Sequence, residues 1–254
     1  MIRWLTGIAL AVGALVPAGG AIRAEALLRA NGHFLKWKSP SNGSDTVISY
    51  AVLSGPFELP NDKTLSPDNC GSMHAFSDIV AKSPEVSVPL AKQELKAAFA
   101  AWEKAAALTF VEVEDASRAN IVIGAAHSPA GRAFANLRVK SVESQTPVSR
   151  GLGKFDPEKA LSLEKSGDDN ESDFIAIEQA YVCLSPQSRW KVGLDGNIGI
   201  YDLRYTFTHE IGHAIGLDHP GRSGAVMAYR YEERVQQLTP SDVSAVQKLY
   251  GSRQ

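Results

Sequence analysis

The run Tyr205-Thr-Phe-Thr-His209-Glu210-Ile-Gly-His213-Ala-Ile-Gly216-Leu-Asp-His219-Pro220 carries three histidines and one glutamate at spacings that could hold a metal ion and work on a water molecule. On a helix His209 and His213 stand four residues apart, which puts both imidazoles on one face with Cβ atoms about 5–6 Å apart. Neutral imidazoles so placed reach one Zn²⁺ at bond lengths of about 2.0–2.1 Å. Glu210 lies one residue round from His209 and can face the ion's open position without being a ligand. A carboxylate there can take a proton from a water whose pKa zinc lowers to about 7. Gly216 permits a left-handed backbone, ends the helix and turns the chain, so that His219 can return as the third ligand. Three protein ligands leave a fourth position open, which distinguishes a catalytic zinc site from a closed structural one. A bare His-Glu-x-x-His match arises by accident in roughly 1% of chains of this size, and requiring Gly216 and His219 at their offsets lowers that by about 10³.

The helix that must carry these residues is visible in its neighbours. Asp202 can cap its start by accepting from the first free N–H groups. Leu203, Phe207, Ile211 and Ile215 give it an apolar face. Upstream, residues 31–44 read as a loop or terminal arm, and residues 46–53 as a first strand rich in β-branched and aromatic side chains. Residues 55–72 hold three prolines and read as a loop. A helix is predicted over 89–107, with Leu95, Phe99, Trp102 and Ala106 on one face, so Trp102 is core. Strands follow at 108–113, 119–124 and 176–184. Residues 143–173 are polar and read as an inserted loop, in which the carboxylates of 168–173 could hold Ca²⁺ but lack a recognisable spacing. Thr239-Pro240-Ser-Asp242 opens a last helix with Val243, Val246 and Tyr250 inward, and Gly251 ends it.

The extended zinc-binding motif resembles that of the metzincin metallopeptidases. The resemblance continues in Ser223-Gly-Ala-Val-Met227-Ala-Tyr229, which looks like their methionine turn. It implies that Met227 packs beneath the metal, where composition alone would make it plain core. Tyr229 occupies the place of a tyrosine that in serralysins and astacins binds the ion at rest or donates to the developing oxyanion; its alternative is a surface or pocket-wall tyrosine. Ala98-Phe-Ala-Ala-Trp102, Leu108-Thr-Phe110, Ala119-Asn-Ile-Val-Ile-Gly124 and the closing Leu249-Tyr-Gly251 resemble matrixins, the matrix-metalloproteinase branch.

That resemblance implies an α+β fold: a mixed twisted sheet of about five strands, three main helices, and an active-site cleft under an edge strand. Gly131-Arg-Ala133-Phe134-Ala135-Asn136 fits the edge strand, so Ala133, Phe134 and Ala135 become candidate substrate contacts, together with Tyr231 as a pocket wall. An unpaired edge binds extended peptides by adding them as a strand. Matrixins usually hold a second, structural zinc with histidines near this strand; here Arg132 stands at one such position, and His33, His74 and His127 are not spaced as a ligand set, so one zinc is expected. Pro220 and Tyr229 look like serralysins instead. The implied activity is zinc-dependent hydrolysis of internal peptide bonds with Glu210 as the base. The alternative is a non-catalytic zinc module that binds a partner through the edge strand.

The N-terminus looks like an export signal over residues 1–26: Arg3, an apolar run over 4–16 too short to span a bilayer, a break at Pro17, and the small-x-small site Ala24-Glu-Ala26, with cleavage after Ala21 or Ala24 also open. Residues 27–254 then form one matrixin-like catalytic domain, secreted or periplasmic, with no membrane contact after signal removal and monomeric. Hydrophobic residues are 44% and charged residues 21%, ordinary values for a globular core. Net charge is −2 with pI near 6.3 and no basic stripe, so nothing points to nucleic acid. Cys70 and Cys183 are the only cysteines. In an exported chain they suggest one disulfide, with two buried free thiols as the alternative. An inhibitory Cys70 thiolate on zinc, as in matrixin propeptides, is disfavoured because the resemblance already begins upstream of Cys70.

Overall fold

Ile121–Ala125 is buried at every position, as a strand must be when both faces of its sheet are covered. This strand belongs to a computed structural model that describes residues 26–59, 69–127, 129, 131–140, 174–221 and 223–253. The expected export signal up to residue 25, the polar insertion and the candidate calcium loop lie outside the described residues. In chain order the strands are β1 (Arg29–Ala30), β2 (His33–Lys36), β3 (Thr46–Val52), β4 (Phe57–Glu58), β5 (Ser72–Met73), β6 (Leu108–Glu112), β7 (Ile121–Ala125) and β8 (Ala133–Val139). They continue with β9 (Phe174–Leu184), β10 (Trp190–Lys191) and β11 (Tyr201–Asp202). The α-helices among the described residues are α1 (Val88–Ala105), α2 (Leu203–Ala214) and α3 (Pro240–Tyr250).

The architecture is α+β. The main sheet is seven-stranded, in the order β1-β2-β9-β7-β3-β6, with β8 added to β9. The β2, β9, β7, β3 and β6 strands run parallel, and β8 runs antiparallel along β9. The sheet is wider than the five strands anticipated because the N-terminal arm is not a plain loop. Asn31 (φ 51°) and Gly32 (φ 87°) make a two-residue turn between Ala30 and His33, and β2 then joins β9. Asn-Gly is the strongest short hairpin signal, because both positions need positive φ; the flanking strands are too short to show alternation.

The two faces of β9 separate two cores. Ala180, Val182 and Leu184 join the main cluster under the helices, with Leu95, Phe99 and Trp102 of α1 and Phe207 and Ile211 of α2. Tyr181 and Cys183 face the other side with Cys70, Met73 and Ala51. There Cys70 and Cys183 are joined in a disulfide across 113 residues of sequence. It ties the segment before β5 to the outer face of β9. The Trp102 indole N–H donates to the Thr208 carbonyl at 2.9 Å, so α1 braces α2 at the residue before His209.

Candidate metal centre

Asp202 starts α2 by accepting from Tyr205 N at 2.7 Å, which satisfies one of the free N–H groups at the helix start. Its second oxygen accepts from Gly193 N at 2.7 Å, and burial pushes the carboxyl above its usual range. At the far end, the Trp37 indole donates to Ala214 O at 2.9 Å and the Tyr250 hydroxyl to Ile215 O at 2.8 Å. Carbonyls left over by the helix end are thereby paired. Gly216 follows at φ 99°, and a Cβ there would sit 2.2 Å from the Leu35 carbonyl oxygen, so no other residue fits this turn.

Helix and turn bring His209, His213 and His219 together, the one group of three or more potential metal ligands among the described residues. Their Nε2 atoms form a triangle with sides of 3.1, 3.2 and 3.1 Å. A tetrahedral ion with bonds of about 2.0–2.1 Å needs nitrogens about 3.3–3.4 Å apart. The other ring nitrogens decide the tautomers. His209 Nδ1 lies 2.7 Å from Val226 O and His213 Nδ1 lies 2.8 Å from Leu217 O, and a carbonyl can only accept, so both Nδ1 atoms carry the hydrogen. The Nε2 lone pairs of His209 and His213 therefore face each other with no proton between them. A cation in the middle turns that repulsion into ligation. Burial also pushes all three imidazoles down, His209 to about 4 and His213 well below its ordinary value. The rings are neutral at neutral pH, the form a metal needs. The donor set fits one Zn²⁺ with an open fourth position.

Glu210 is 7% exposed, and burial alone pushes its carboxyl up to about 8. Met227 is buried with its sulfur against α2; a Cβ at Gly212 would lie 2.2 Å from Met227 Sδ, so glycine is required where the turn passes beneath the helix. Tyr229 is 68% exposed, with its ring centroid 5.3 Å from that of His219, edge to face. Tyr231 stacks on Tyr201 at 4.3 Å and meets Tyr205 at 4.8 Å, and its hydroxyl accepts from Asp202 N and donates to Glu233. It thus braces the start of α2. β8 lies along α2 and pairs with β9. Ala133 and Ala135 face the main core beside the helices, whereas the Phe134 ring packs on the opposite face with the disulfide.

Arg132 donates to Gly199 O at 2.8 Å and lies 4.3 Å over the Tyr201 ring, so it ties the start of β8 to the segment entering α2. His74 and His127, far apart in sequence, have ring centroids 4.8 Å apart, while His33 is in β2.

Asp242 is the positioning residue that sequence reasoning missed. It was visible only as an acid at the start of α3. Its carboxylate accepts from Val226 N at 3.0 Å, Met227 N at 3.2 Å and Thr239 N at 2.8 Å, fastening the Met227 turn to the last helix. Since Val226 O holds His209, Asp242 orients a ligand at one remove. Asp242→Ala is expected to cost about 3 kcal/mol, because buried N–H groups lose a charged acceptor. Zinc affinity should fall about tenfold. Thermal unfolding of the metal-free chain and a zinc titration check the two effects; an unchanged zinc affinity would refute the coupling.

The family model described as matrixin matches residues 74–251. Matrix metalloproteinase-16 of Homo sapiens is 27% identical over 184 residues, covering 70% of this chain and 26% of that protein. Metalloendoproteinase 1-MMP of Arabidopsis thaliana is 28% identical over 165 residues, 63% of this chain and 38% of that protein. Matrix metalloproteinase-26 of Homo sapiens is 41% identical over 56 residues, 21% of this chain and 22% of that protein. The chain thus spans 22% to 38% of the length of these curated relatives.

Proposed function

The chain belongs to the matrixin family, and from that premise we propose that it is a zinc-dependent endopeptidase that hydrolyses internal bonds of polypeptides. Its α+β sheet and helices are the metzincin fold of that family. The observation that carries the activity is the triangle of three imidazole Nε2 atoms at 3.1–3.2 Å, two of them on a helix that also carries the buried Glu210.

His209, His213 and His219 would hold the ion. Bound there, zinc would polarise the scissile carbonyl and lower the pKa of the attacking water toward about 7. Glu210 takes the proton of that water as the carbonyl is attacked, then delivers it to the leaving amine. Burial suits the role, because it raises the proton affinity of this carboxyl. Tyr229, exposed beside His219, can swing its hydroxyl to donate to the developing oxyanion. The main-chain groups of Ala133 and Ala135 pair with an extended substrate, while those of Phe134 turn toward β9. Tyr231 walls the pocket beyond the cleaved bond. The chain acts outside the cytoplasm after losing an export signal that ends at Ala21, Ala24 or Ala26, as a monomer with one zinc.

The test is digestion of an unfolded protein substrate by the purified chain, with and without a zinc chelator, alongside elemental analysis. Internal cleavage that stops with chelator and returns with zinc, at one zinc per chain, is expected. A zinc-loaded chain that leaves the substrate intact would refute the reading.

A further inference from the structure

The turn between the second and third histidines is not held by α2 alone. Leu28 N donates to Gly216 O at 2.8 Å, and Asp218 N donates to Ala26 O at 2.8 Å. These bonds flank an isolated antiparallel bridge between Leu27 and Leu217. The Leu27 side chain is buried in the main core together with Leu217. The segment is itself anchored: Leu35 N donates to Leu28 O at 2.9 Å, β1 pairs with β2, and β2 pairs with β9. The Leu35 carbonyl also lies against the bare Cα of Gly216. The turn is thus clamped between α2 and a strand from the far end of the chain.

What the clamp holds is the carbonyl that orients the His213 imidazole and the backbone that leads into His219. Leu217 O, between the two clamping bonds, lies 2.8 Å from His213 Nδ1 and fixes its tautomer. The Asp218 carboxylate accepts from the backbone N of His219 at 2.7 Å. We propose that Ala26–Leu28 is a positioning strand of the metal centre, and that where the chain is cut at its N-terminus sets its affinity for zinc. This rests on the zinc-peptidase reading above. Its physical basis is that partners which orient a ligating imidazole are worth about 10–100-fold in metal affinity. Both clamping bonds are lost if the chain begins beyond Leu28. A chain beginning at Glu25 keeps both, and one beginning at Leu27 lacks the Ala26 acceptor. The three sites at which an export signal could end, after Ala21, Ala24 or Ala26, are therefore not equivalent for the metal.

The experiment compares the full chain with its Leu28→Pro variant, which lacks the N–H that Gly216 O accepts. Zinc affinity is read by competition with a chromophoric chelator, and ligand geometry by the visible absorption of the Co²⁺-loaded chain. Zinc binding weakened by about 10–100-fold, with altered Co²⁺ bands, is expected. A strand that only supports the fold would lower the unfolding temperature of the metal-free chain and leave both readouts unchanged, which overturns the proposal. Should Leu28→Pro fail to fold, chains beginning at Glu25 and at Leu27 decide: severalfold weaker zinc binding by the shorter supports the clamp, and equal binding overturns it. A full chain that binds no zinc removes the zinc-peptidase reading, and this inference with it.

Discussion

Glu210→Gln is expected to keep zinc and lose hydrolysis by about 10²–10⁴-fold, the usual contribution of a positioned general base. The amide has nearly the carboxyl's shape but cannot take a proton, and His209, His213 and His219 are untouched. A second readout distinguishes this from a folding defect. At pH 7 a carboxyl pushed up to about 8 is roughly nine-tenths protonated in the metal-free chain. The three imidazoles, all pushed down, are already neutral. Zinc binding should therefore release protons from Glu210 and from the water it acidifies, rather than from histidine. Calorimetry in buffers of different ionisation heat measures the release, and the glutamine variant should release fewer protons than the parent. The sign also sets the stability profile. Because burial raises this carboxyl, its cost to the metal-free fold grows as pH rises from about 4.5 through 8, and the glutamine variant should not show that loss. Turnover retained by the variant, or an unchanged proton count, would strike Glu210 from its role.

Removing the Cys70–Cys183 bridge should lower the unfolding free energy by about 4–5 kcal/mol. In the chain-entropy model that is the effect of releasing a closed loop of roughly 100 residues, and the bridge here spans 113. Cys70→Ala with Cys183→Ala avoids the reactive single thiol, and urea unfolding of the metal-free chain gives the value. The bridge lies on the outer face of β9 with Tyr181 and Met73, and the histidines lie with α2 on the other side. Stability should fall while zinc affinity does not. A loss below about 1 kcal/mol would mean that the reduced chain keeps the loop closed by packing alone.

Elements with strong local signals were legible within a few residues. The predicted helix over 89–107 is α1, Val88–Ala105, and the strand predicted over 46–53 is β3, Thr46–Val52. The edge strand runs on to Val139, past the 131–136 expected, because pairing with β9 continues where the sequence carries no further signal. The β2 strand leaves no trace of its own in the sequence because four residues show no usable period; the Asn31-Gly32 turn before it is the one local cue.

The metal-binding motif was readable for a simple reason. Four-residue spacing on a helix, and one glycine that alone tolerates the turn, determine which side chains a local segment can present, whatever surrounds it. From the sequence came three imidazoles and a carboxylate within eleven consecutive residues, 209–219. It could not say what aims them. Leu28 meets Gly216, Asp242 holds Val226, and Tyr250 caps Ile215 through contacts between residues far apart in the chain, with no periodicity to announce them. Such partners are chosen by packing, when buried N–H and C=O groups must each find a mate. Local spacing decided which groups could meet a metal, and only the tertiary structure decided which distant segments hold them there.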